Sequence, residues 1–163
     1  MKTTIYREWS KKAAVNAIAL AEESRILLEA ERLSRAYYLS HMATEESAKS
    51  ILLFAMSTSG TPVSELQKVN TLLRNHRKKI DFVVSYAESL SPELTKRLNG
   101  LKTELITHIN DLKNNTMYVS CEQEIVMTPE EKISGIPVSV HVEVAESLAY
   151  LANNLLTNHS KRA

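Results

Sequence analysis

Apolar residues recur along most of this chain at the three- and four-residue spacing of amphipathic helices. Trp9, Ala13, Ala17, Leu20, Ser24, Leu27 and Leu28 form the first stripe and predict a helix from about Tyr6 to Glu31. A second helix restarts near Ser34, read as its N-cap, and runs to about Met56, where Ser57-Thr58-Ser59-Gly60 stops it. No glycine or proline marks the join between the two. Thr61-Pro62 supplies a cap and a first helical residue for a third helix, whose inner face includes Leu66, Val69, Leu73, His76, Ile80 and Val83. Ser91-Pro92-Glu93 repeats that start signal for a fourth helix, about Pro92 to Lys113.

From Asn114 the periodicity lapses. Met117 to Cys121 is β-prone but too short to found a sheet, and Thr128-Pro129-Glu130-Glu131 starts one or two helical turns. Gly135 and Pro137 close the excursion, and a last helix runs from about Ser139 to Asn158. The pattern predicts an all-α, up-and-down bundle of four to five long helices. Residues 1–163 are expected to make one domain, with an irregular insert at about 114–138 long enough to have a job of its own.

Composition narrows this further. Three glycines and four prolines are too few for a sandwich or barrel full of tight turns. A formal net charge of +1 means that any nucleic-acid contact must come from a local patch. Cys121 is the single cysteine, so no internal disulfide forms, as suits a reducing cytoplasm. Residues 1–12 are polar with no apolar run behind them, and charges interrupt every apolar stretch, so a cytoplasmic protein with no membrane partner is expected.

The candidate chemistry centres on the second helix. Arg35, Tyr38, His41, Met42, Glu45, Glu46 and Lys49 fall within an arc of roughly 140° at about 100° per residue. The opposite side carries Ala36, Ser40, Ala43 and Ser47, small enough for close packing against neighbours. The polar arc needs a partner, and the run Arg74-Asn75-His76-Arg77-Lys78-Lys79 is the obvious one. Glu45 and Glu46 lie four and three residues before Lys49, spacing that by itself describes an ion-pair ladder. His76 sits on an apolar stripe, where a histidine is either a satisfied core residue or, paired with Glu45 or Glu46, a general acid or base. In the second case Lys79 and Arg74 stabilise charge developing on a phosphate. A di-metal centre needs Glu-x-x-His on paired helices, and Lys49 stands where that ligand would be, so neither metal nor cofactor is expected. Arg35 and His41 also fit the Arg-x(4–6)-His pattern of HEPN ribonucleases.

Taken in order, Ser34-Arg35-Ala36-Tyr37, Ala43-Thr44-Glu45-Glu46-Ser47-Ala48-Lys49, His76-Arg77-Lys78-Lys79, Met117-Tyr118-Val119-Ser120 and Thr128-Pro129-Glu130-Glu131 resemble the AbiV group of abortive-infection proteins. That group is a branch of the HEPN superfamily. Ser120 departs from the pattern, which has an acidic residue after Tyr-Val. The resemblance implies a bacterial or archaeal cytoplasmic protein that limits phage propagation by harming or halting its host. It also implies a helical, commonly dimeric protein of a superfamily whose members often cleave RNA without metal. Carried over residue by residue, His76, Lys79, Glu45, Glu46 and Lys49 become the expected catalytic set, with Tyr118 lining the site. Arg74 from the basic run, and Arg35 and His41 from the Arg-x(4–6)-His pattern, join Tyr118 as the expected RNA contacts. The competing reading is a non-catalytic module that binds a phage or host protein, its polar cluster fixing helix register. Accessibility separates the two, because an enzyme needs His76 and Lys79 at a groove. A homodimer is expected if the terminal helices keep apolar residues on two faces, with Ile5, Tyr6, Trp9 and Tyr150 as the candidate excess.

Overall fold

The computed structural model describes residues 4–75, 78–79, 81–83, 85–86, 96 and 116–160. Helix α1 (Thr4–Glu29) and helix α2 (Leu33–Thr58) lie antiparallel, joined by a three-residue link. The join carries no glycine because Glu31 itself adopts the left-handed conformation, with φ of 56°. Around it the Arg32 N–H donates to the Leu27 carbonyl at 2.8 Å and the Glu31 N–H to the Leu28 carbonyl at 3.0 Å. This is the Schellman arrangement that usually recruits glycine at that position. Ser34 does not cap α2 as expected: Arg32 occupies the cap position without a side-chain bond, and the Ser34 hydroxyl instead donates to Glu130 Oε1 at 2.8 Å.

Small residues let the two helices approach closely. The Ser10 hydroxyl donates to the Ser50 carbonyl at 2.8 Å, and the Ser50 hydroxyl donates back to the Ser10 carbonyl at 2.9 Å. Further along, Ala17, Ala21 and Ala43 meet Ala145 and Ala149 of the last helix in one buried cluster. Thr44 and Ser47 satisfy their buried hydroxyls on the Ser40 and Ala43 carbonyls one turn back, so the polar atoms carry no desolvation penalty.

The third helix departs from expectation at both ends. Pro62 stays extended, with ψ of 146°, and precedes a 3-10 turn at Val63–Glu65 before α3 (Leu66–Arg74) begins. Its apolar face packs Val69 and Leu73 against Leu52, Leu53 and Tyr6, whose hydroxyl donates to the Pro62 carbonyl at 3.1 Å. Tyr6 is thus core rather than surplus surface, whereas Ile5 and Tyr150 are 43% and 68% exposed. The helix ends at Arg74, because Asn75 turns extended at ψ of 96°. Its side chain accepts the Lys78 N–H at 3.0 Å and its carbonyl accepts the Lys79 N–H at 3.1 Å. Asparagine thus ends one helix and caps the next, and residues 78–79, 81–83 and 85–86 are helical. Val83 anchors this second segment among Ala48, Ile51, Val144 and Leu148. The fourth predicted helix lies outside the described residues apart from Lys96, which is helical.

A small sheet also forms where none was expected. Strand β1 (Ser120–Glu122) pairs antiparallel with β2 (Ile125–Met127), matching Cys121 to Val126. The two-residue turn uses Gln123 and Glu124 at φ of 49° and 68°, left-handed positions that usually announce themselves by Asn-Gly. Thr128 then caps α4 (Pro129–Lys132) in a full capping box with Glu131, as its sequence indicates. The last helix, α5 (Val138–Ser160), lies against both α1 and α2. Arg25 fastens it through a two-pronged pair with Glu146, at 2.8 and 2.5 Å. The result is the all-α bundle that the periodicity predicts. Among the described residues no helix is long and apolar enough to cross a membrane.

Candidate functional site

The polar arc of α2 does meet the chain that follows Asn75. Glu45 stands on α2 with only 5% of its surface exposed. Its Oε1 lies 3.1 Å from His41 Nε2, one turn earlier, and its Oε2 lies 3.4 Å from Lys79 Nζ. His41 and Lys79 are each 3% exposed, so all three charge-bearing groups sit in the interior. Two anchors bring Lys79 there: the restart of the helix at Asn75 and the seating of Val83 in the core.

Electrostatics in this cluster are set by burial. Loss of water pushes the Lys79 ammonium below its ordinary value, and the Glu45 carboxylate, by charge and hydrogen bond, recovers only part of the loss. Lys49 adds a like charge and lowers it further, while Glu46 opposes. Glu46 and Lys49 pair with each other three residues apart, their side chains 15% and 23% exposed, at the edge of the same face. The expected ladder therefore divides: Glu45 turns inward to His41 and Lys79, while Glu46 and Lys49 pair with each other at the rim.

The remaining expected site residues divide in the same way. His76 lies outside the described residues, as does Arg77. Arg35 is exposed near the start of α2, where with Arg32 it helps to hold the Glu130 carboxyl below its usual range; the larger cause is the Ser34 hydroxyl donating to it. Arg74 is exposed at the end of α3, and Tyr118 is 70% exposed just ahead of β1. These three side chains lie at the surface, whereas Glu45 is in the interior. His41, expected as an RNA contact, is a buried partner of Glu45 instead. Its four-residue spacing from Glu45 was the available signal, but the same spacing occurs on any exposed helix face. Asn75 is the other residue that sequence reasoning passed over.

Chemically, the cluster is a carboxylate shared between an imidazole and an ammonium away from water. Such an arrangement holds elements in register when each group is satisfied, and it penalises loss of any one member.

A family model described as AbiV, of the HEPN type, matches residues 5–150. The chain belongs to the AbiV family. Every candidate residue of this AbiV chain, from Arg35 to Tyr118, falls within the matched span. No curated protein and no solved structure matches it.

Proposed function

We propose that this AbiV family member is an abortive-infection effector that works by binding, and that His41, Glu45 and Lys79 brace α2 against the segment after Asn75. The supporting observation is the burial of Lys79 and Glu45, at 3% and 5% exposure. A lysine that neutralises a scissile phosphate must reach it, and an ammonium held by a carboxylate inside the packing has no path to one. In this reading the target is a phage protein or a host protein, components of the translation machinery included. The brace supplies a rigid face for that contact.

A ribonuclease reading draws on a different observation. Glu46 and Lys49 are only partly covered, and Arg74 and Lys78 are exposed nearby in sequence to His76, which gives RNA a local cationic surface. There His76 exchanges protons with the 2′-hydroxyl or the leaving oxygen, and Lys49 holds the phosphate.

Incubating the purified protein with total RNA, with and without chelator, separates the two readings. Scoring host toxicity of His76→Ala completes the experiment. Binding predicts intact RNA and toxicity that survives the substitution. Chelator-resistant cleavage that disappears in His76→Ala would overturn it.

A further inference from the structure

The hairpin of β1 and β2 is the part of the insert that the candidate site leaves unused. Side chains alternate along each strand, so Ser120 and Met127 share one face while Val119, Cys121 and Val126 share the other. The first face is turned to the body of the protein. Both of its residues are half-buried, and the Ser120 hydroxyl accepts a bond from the Lys132 ammonium of α4. The second is turned to water, with Val119 at 62% and Val126 at 66% exposure and Cys121 exposed beside them. A sheet with its apolar face outward is unfinished, since two strands gain independent stability only from a third or from a covering element.

The backbone says what completes it. Glu122 and Ile125 flank the two-residue turn and exchange the ladder bonds nearest to it. The antiparallel pattern then points the N–H and C=O of Cys121 away from β2, and those of Val126 away from β1. Along the β2 edge the next outward residue is Thr128, and it is taken. Its N–H donates to Glu131 Oε2 at 2.7 Å, and its carbonyl accepts the Lys132 N–H at 3.2 Å. The start of α4 thus closes that edge. The β1 edge runs back from Cys121 to Val119 without the proline or lysine that commonly guards an exposed strand. Residues 116–127 also hold two carboxylates, Glu122 and Glu124, and no cation. An open edge accepts extended backbone, the exposed valines accept apolar side chains at alternate positions, and the charge selects a basic segment.

We propose that β1 is a docking strand: an extended, basic segment of the target protein, apolar at every second residue, adds to the Cys121 edge as a third strand. This assignment rests on the protein being a binding effector, and it specifies which part of the target is held.

The probe is the acetylated, amidated peptide Lys-Val-Lys-Val-Lys-Val, titrated into the full chain while backbone amides are followed by NMR. Binding slows hydrogen exchange at the Cys121 amide and leaves the Val126 amide unchanged. The counterpart with glutamates in place of lysines does not bind. Proline is tolerated where a strand N–H faces solvent, so Cys121→Pro and Val126→Pro are matched variants. Cys121→Pro weakens peptide binding by about tenfold, as loss of a backbone hydrogen bond requires, whereas Val126→Pro binds as wild type does. Amide signals of the facing strand check that the hairpin persists in each. In cells Cys121→Pro loses host toxicity and Val126→Pro keeps it. No binding at millimolar peptide, equal protection of the two amides, or toxicity that survives Cys121→Pro overturns the proposal. Should RNA cleavage overturn the binding reading, the titration still decides whether the edge takes a strand, so the two failures are told apart.

Discussion

Lys79 and Glu45 form an interior ion pair across 34 residues of chain, 3.4 Å apart. Taking either charge out of water costs several kcal/mol, so the pair holds only as a pair. Lys79→Met leaves a buried carboxylate with His41 and is expected to destabilise by about 3 kcal/mol. Glu45→Leu strands the ammonium at a similar cost. The double variant loses much less than the sum, and chemical denaturation of the three proteins measures the coupling.

The same pair makes stability depend on alkaline pH. The folded Lys79 ammonium titrates below its ordinary value of 10.5, chiefly through burial. Between those two values the unfolded chain holds more protons than the folded one, so this group's contribution rises with pH across that window. Below the folded value the cost of the buried charge is fully present. The stability difference between wild type and Lys79→Met should therefore grow as pH rises toward 10.5, read from denaturation curves at successive pH values.

Asn75 decides where Lys79 points. Removing its side-chain acceptor in Asn75→Ala leaves the Lys78 N–H unmet at the start of the restarted helix and should cost about 1 kcal/mol. Asn75→Asp, which keeps an acceptor, should cost little. Thermal unfolding of the two variants distinguishes this cap from a residue that merely tolerates the bend.

Glu31 holds a conformation that glycine adopts without penalty, at φ of 56°. Its carboxylate is exposed, so Glu31→Gly relieves backbone strain while losing no core contact. A net gain of about 0.5 kcal/mol is expected, after the greater freedom of glycine in the unfolded chain is counted. A fall in denaturation midpoint would show instead that the corner carries no strain.

What could be read in advance follows from how many residues voice each feature. The stripes of α1, α2 and α5 are each spoken by many positions, and the helices appear within a few residues of expectation. Features settled by one or two side chains were not legible. Apolar spacing continues smoothly past Asn75, so periodicity alone conceals the break there. Gln123 and Glu124 make a hairpin turn without the glycine or asparagine that signals one. At the candidate site, spacing set the polar arc of α2 against the run from Arg74 to Lys79, but it gave Glu45 to His76 rather than to Lys79 and said nothing of depth. Depth is set by how near the helices come, and that depends on Ser10, Ser50 and the alanine cluster rather than on the charged residues.

The reciprocal bonds between Ser10 and Ser50 also limit how this sequence can vary. Where two backbones are that near, a trimmed side chain leaves little void, whereas an added methylene has nowhere to go and wedges the helices apart. Substitution at these contacts is thus tolerated in one direction only. A single enlarged residue there would loosen a charge pair that it never touches.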